Sequence, residues 1–332
     1  MSTSPHPTSI LLLGSGELGT AILHSLTAHP SYNPAVTTKL SILRRPESLA
    51  SGTQSSLPTP LGRGGRTVTI TYEAADLAHD PIPTLAALFR TYDVVIHAGG
   101  FTAPRGTLLR VAEAAVQAGV KRFFPWQFGA DYEAIAAAGG GGGVEHSGHR
   151  ELFGEMLAVR ELLRRQEWTK WTIVSTGLFM SFLFLRGFGV VDLEGRKVRA
   201  LGGWDTRVTV TEVEGIGRMV AEMVFNPGEE MAGRSGVVYV AGDTVSYRDV
   251  ADIVEEVYGG GFEREVLDME RLKKRIEEEP GDVMPKYQHV FGAGVGVSWE
   301  KEKTANYQRG IKLMSLREYV EQNKEALAEA NK

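Results

Sequence analysis

The stretch ILLLGSGELGTAILHSL, residues 10–26, limits what this chain can fold into more than any other segment. A short apolar run breaks into Gly14, Gly16 and Gly19, and apolar residues then return at helical spacing, with Leu18, Ile22 and Leu26 on one face. Strand, glycine turn and helix is the context that GxGxxG needs. Gly14 permits the tight exit from the strand, Gly16 lets a pyrophosphate approach the backbone, and Gly19 lets the helix lie close to the sheet. The unpaired amides of the helix start supply an anion site. Gly14, Ser15, Gly16, Glu17, Leu18 and Gly19 are therefore candidate dinucleotide-binding residues. An ordinary tight turn is the competing reading, and the second strand at the proper distance disfavours it.

The same alternation continues. Strands are predicted at Ser9–Leu13, Lys39–Leu43, Thr67–Thr71, Val94–His97, Arg122–Pro125 and Trp171–Ser175, with helices between them. The helix Leu108–Ala118 ends at Gly119, suited to a left-handed C-cap. This pattern predicts an α/β fold, a Rossmann-type doubly wound parallel sheet with a smaller C-terminal substrate lobe. The expected division is a cofactor-binding domain over 8–180, with returning segments near 205–243, and a smaller lobe from 181–204 and 244–325. A short strand Arg207–Val210, the strand GVVYVAG and the helices around TEVEGIGRMVAEMVF, SYRDVADIVEEVYGG and DMERLKKRIEEEPGD fill the second half. Residues 51–66 and the run Gly139–Gly143 read as loops.

Composition excludes several classes. The net charge of −5 over 332 residues argues against a nucleic-acid partner. The absence of cysteine removes disulfides, thiolate metal sites and a cysteine nucleophile. His146 and His149 with Glu145 and Glu151 imitate a metal cluster but lack a fourth-ligand pattern, so no metal is expected. MSTSPHPTS has no basic n-region and the following apolar run is too short for a membrane span, which predicts a cytoplasmic protein with no membrane partner.

The second strand chooses between cofactors. It ends in Arg44 and Arg45, and no carboxylate precedes Glu47, so the end that faces the ribose suits a 2′-phosphate and predicts NADP. Asp76 is expected as a helix cap rather than an adenine contact. In DVVIHAGGF, Gly99 and Gly100 would let the backbone pass close to the cofactor.

Taken together, GSGELG, DVVIHAGG, GVKRFFPWQFG and LAVRELL resemble the NmrA-like and isoflavone-reductase-like family of atypical short-chain dehydrogenases, closest to its fungal members, over residues from about 9 to 310. The resemblance implies a Rossmann domain binding NADPH, a small second domain, and reduction of phenylpropanoid-like aromatic compounds. The family's Pro-Ser-Glu-Phe-Gly element is matched by Pro125, Phe128 and Gly129, while Trp126 and Gln127 replace Ser and Glu. Phe128, with Gly99, completes the candidate cofactor contacts. The family's catalytic lysine, three residues before a Val-Arg pair, is Met156 here, ahead of Val159 and Arg160. No lysine lies between Lys121 and Lys170, and no YxxxK pair has the right spacing. A reductase would need another proton donor, and Tyr132, His149 and His146 are the candidates, with Tyr132 and His149 preferred.

Phe179, Met180, Phe182, Phe184, Phe188 and Trp204 offer aromatic or apolar walls for a small aromatic substrate, though most such residues pack in cores. Two readings follow: an NADPH-dependent reductase, and a catalytically inactive regulator of NmrA type that binds the dinucleotide and a protein partner. The missing lysine favours the second reading, the aromatic-rich segment the first.

Overall fold

The computed structural model describes residues 6–50, 61–62, 66–100, 103–139, 149–228 and 233–331. Its central element is a seven-stranded sheet in the order Gly236–Tyr239, Lys170–Ser175, Arg122–Phe124, Val94–His97, Ser9–Leu13, Lys39–Arg44, Thr71–Ala74. Ser9–Leu13 pairs in parallel with both Lys39–Arg44 and Val94–His97, so the strand order reverses on either side of it. Every residue of Ser9–Leu13 is buried, as a strand covered on both faces by helices requires. The fold is the Rossmann-like α/β architecture that the alternation predicted.

Several boundaries match the sequence reading closely. The first helix is Glu17–Ala28, with Leu18, Ile22 and Leu26 buried, and Gly119 caps Thr107–Ala118 at φ 66°. The third strand differs. Its pairing is at Thr71–Ala74 rather than Thr67–Thr71, and Arg66–Thr67 pairs with Leu61–Gly62 instead. The β-branched run TVTI carries the stronger strand propensity, but polar contacts decide the register. Ser41 and Thr71 join by a 2.6 Å hydroxyl bond, and the Tyr92 hydroxyl donates to the Glu73 carboxylate and lies 2.8 Å from the Ser41 hydroxyl. As an edge strand it needs no continuous apolar face.

The chain divides into two compact units, residues 1–127, 155–174 and 216–238 in the first and residues 128–154, 175–215 and 239–332 in the second. The first holds most of the large sheet. The second contains two three-stranded sheets: Val191–Asp192, Lys197–Leu201, Glu263–Leu267, and Asp243–Ser246, Arg207–Thr211, Leu178–Phe179. Arg207–Thr211 thus belongs to a separate sheet, and Gly236–Tyr239 is the strand that rejoins the main one. The helix Tyr247–Tyr258 begins with a capping box between Ser246 and Asp249, and Met269–Glu278 is capped by Asp268 and ends before Pro280. No helix among the described residues is long and apolar enough to cross a membrane.

Candidate functional site

In the first unit, the glycine turn sits where the strand order reverses, the position at which open α/β sheets bind ligands. Its three glycines are there for three different reasons. Gly14 has φ +105°, and a Cβ on it would lie 3.0 Å from the Cα and N of Gly99, so the exits of two neighbouring strands touch. A Cβ on Gly19 would strike the carbonyl oxygen of Gly14, which holds the helix start against the turn. Gly16 is under neither constraint: its φ of −72° and ψ of −165° suit other residues, and no described atom lies within 4 Å of an added Cβ. A glycine that the fold does not need, at the N-cap of a helix whose first amides have no intrahelical acceptor, fits a pyrophosphate. Ser15 is half-buried, Gly16 and Glu17 are exposed, and Leu18 is core.

The two arginines separate at the end of the second strand. Arg44 is 7% exposed, and its guanidinium lies 4.7 Å from the centre of the Tyr72 ring, itself 43% exposed on the neighbouring strand. Arg45 is exposed at the start of the helix Pro46–Ala50. The Arg44–Tyr72 pair holds a planar cation at the sheet edge, a donor suited to phosphate. Sequence reading missed Tyr72 because the third strand was placed four residues early. Asp76 is not a helix cap. Its Oδ1 accepts from the amides of Ala78 and His79 and its Oδ2 pairs with the His79 ring, closing a turn, while the helix Ile82–Phe89 starts later, behind Pro81. A short carboxylate serves either role with the same bonds.

The exit of the fourth strand is held by side chains. His97 is buried, and its Nε2 lies 2.9 Å from the carbonyl oxygen of Gly99. A carbonyl only accepts, so Nε2 carries the hydrogen; burial holds the imidazole down to about 4 and keeps it neutral. The helix Thr107–Ala118 that follows has Glu155 at its N-terminus, each carboxylate oxygen accepting one amide, from Gly106 and Leu109, at 3.0 Å. The exit of the fifth strand is tied to the same helix as Glu155. Gln127 is buried, donates from Nε2 to the Met156 carbonyl at 2.9 Å, and accepts from Arg160 Nε at 2.7 Å. A glutamate at 127 would accept from Arg160 but have nothing to donate to Met156.

In the second unit, Tyr132 opens the helix Tyr132–Gly139 and is 4% exposed. Its hydroxyl packs against Gly129, whose carbonyl accepts from Thr176 and Gly177, and its ring lies 4.7 Å from that of Phe153. Phe128 is buried at the first position of this unit. His149 is the first residue of the helix His149–Arg164, and its side chain lies outside the described residues, as does all of His146. Of the aromatic segment, Met180, Phe184 and Phe188 are core, while Phe179, Phe182 and Trp204 are half-buried. Phe182 lies 6.3 Å from Tyr287, a half-buried ring of the helix Met284–Ala293 that the sequence reading did not single out.

The model of the NmrA-like family matches residues 69–320. The chain belongs to that family. A Gibberella moniliformis protein named NmrA-like family domain-containing oxidoreductase is 45% identical over 316 residues, 94% of this chain and 97% of its own length. Two solved structures share the fold: isoflavone reductase, with TM-score 0.68 and 19% identity over 95% of this chain and 99% of that one, and the Citrobacter sp. triphenylmethane reductase complexed with NADP(H), with TM-score 0.66 and 18% identity over 94% and 99%.

In this NmrA-like chain, Met156 is 7% exposed and Val159 and Arg160 are buried. His97, Gln127 and Glu155 carry the polar contacts of the strand exits, and sequence reading gave none of them a role. The partners of Gln127 and Glu155 lie far off in the chain and only the fold brings them close, while His97 meets the carbonyl of a residue two positions on.

Proposed function

We propose that the protein is an NADPH-dependent reductase of small aromatic compounds. Gly16 carries the cofactor reading, because an open glycine at a helix start leaves room and amides for a pyrophosphate. Gly14, Ser15, Glu17, Leu18, Gly19 and Gly99 shape the rest of that cradle, and Arg44, backed by Tyr72, with Arg45 is suited to the 2′-phosphate. The relative named as an oxidoreductase and the structural relative solved with NADP(H) support the same reading. Bound NADPH would supply the hydride. The chain's own share is to hold the dinucleotide and to deliver one proton to the reduced substrate, for which Tyr132 and His149 are the proposed donors. The first unit would bind cofactor, and the second, with the half-buried rings of Phe182 and Tyr287, would select aromatic substrates.

Two observations favour a second reading, a cofactor-binding regulator without turnover. The lysine position is a buried methionine whose side chain moves no proton, and the Tyr132 hydroxyl is enclosed against Gly129. The deciding experiment is NADPH oxidation screened against aromatic ketones, aldehydes and phenylpropanoids, with product identification. Turnover that falls by roughly 10²–10⁴ in Tyr132→Phe supports the reductase and its donor. Tight NADPH binding with no compound reduced supports the regulator.

A further inference from the structure

Trp126 stands where the family pattern has a small serine, and the proposed function gives it no task. The strand Arg122–Phe124 runs beside Val94–His97 with Phe124 opposite Ile96, and that strand runs beside Ser9–Leu13 with His97 opposite Leu13. All three leave the sheet at one edge, which brings Trp126 to the side of Gly99 and Gly100 away from the second and third strands. The indole rests on Gly100. A Cβ there would lie 2.5 Å from Trp126 Cδ2, 2.6 Å from Cγ and 2.9 Å from Leu108 Cδ2, although Gly100 does not have positive φ. The ring, not the backbone, makes glycine necessary at 100. Gln127, bound to Met156 and Arg160, fixes the next residue, so the indole is held in place while remaining half-exposed.

A doubly wound sheet holds the two mononucleotide halves of a dinucleotide on opposite sides of the point where strand order reverses. Arg44 and Tyr72 lie on the side of the second and third strands, the adenosine side. The other half falls on the side of the fourth and fifth strands, where Trp126 stands. We infer that Trp126 contacts the nicotinamide half of the bound dinucleotide and sets its affinity, an aromatic contact in which the adenosine half has no part. This inference rests on the NADP reading above.

Calorimetry with two ligands separates the inference from that reading: NADPH, and adenosine 2′,5′-bisphosphate, which has the adenosine half and no nicotinamide. Trp126→Ala should weaken NADPH about tenfold, the usual size of a lost ring contact, and leave the bisphosphate within about twofold of wild type. Gly100→Ala, which keeps the indole but displaces it, should give the same split. Trp126→Phe, closer in size, should weaken NADPH alone by about two- to threefold, and decides the matter if the alanine chain does not fold. Equal weakening of both ligands, or unchanged NADPH affinity in the variants, overturns the inference while leaving the cofactor site intact. A wild-type protein that binds neither ligand overturns the cofactor reading as well.

Discussion

The turn after Leu13 and the turn after His97 leave the sheet side by side, yet glycines shape the first and side chains hold the second. In the first, Gly14 and Gly19 make the backbone fit itself, and a Cβ added to Gly16 would meet no described atom within 4 Å. In the second, His97 fixes the Gly99 carbonyl, Trp126 and Leu108 enclose Gly100, and Glu155 caps the helix. Both helices present amide donors at their N-termini. At the second, Glu155 accepts two of them, and the first is where the proposed pyrophosphate would bind. A helix start whose amides already hold a carboxylate has fewer donors to offer an anion, although both share the same dipole.

The contrast breaks most sharply at Gly16. Gly16→Val places a side chain where the proposed pyrophosphate would bind, and NADPH affinity measured by calorimetry should fall by roughly a thousandfold or more, about 4 kcal/mol, with a nearly unchanged melting temperature. Retained affinity in the folded variant would show that the glycine turn does not hold the dinucleotide. Next in size is the acid response of the second turn. His97 is held neutral with its pKa near 4 against an ordinary 6.5, so the unfolded chain binds the extra proton between those values. The contribution is fully present above about pH 6.5 and is lost as pH falls to about 4, a total of roughly 3 kcal/mol. Denaturant melts at pH 7 and pH 4.5 should show a shallower loss in His97→Gln than in wild type, and parallel losses would refute the assignment.

Arg44→Ala probes the first turn's neighbour. It should cost NADPH about 1.5–3 kcal/mol and NADH little, because only NADPH carries the 2′-phosphate. Equal wild-type affinities for the two cofactors would end the NADP reading. The smallest effect is expected at the closed helix start. Glu155→Ala should lower stability by about 1–2 kcal/mol, the range for a lost helix cap, with Glu155→Gln losing less. Thermal melts check it, and a neutral alanine variant would show that the cap contributes nothing.

Much of the first turn was legible because its determinants are local. A glycine pattern, an apolar strand and a helical stripe lie within residues 9–28, and each constrains its neighbours through sterics alone. The Arg44 position was legible in the same way, at the end of a buried strand. The third strand was not, since Thr71 and Glu73 owe their places to Ser41 and Tyr92, distant in sequence. Asp76 was misjudged because turn and cap use the same side-chain bonds. Trp126 and Gln127 were visible only as departures from a pattern, and nothing local showed that they answer Gly100 on one side and Met156 and Arg160 on the other.

By itself, then, the amino-acid sequence determined the alternating α/β order, the glycine turn and the family, since short-range sterics and hydrophobic periodicity act between near neighbours. The tertiary structure decided which helix start receives Glu155, which arginine is buried against a ring, and what Trp126 and Gln127 meet. Those outcomes depend on desolvated contacts between strand exits far apart in the chain, and hydrogen bonds such as Glu155 to Gly106 exist only once the sheet has set its strands side by side.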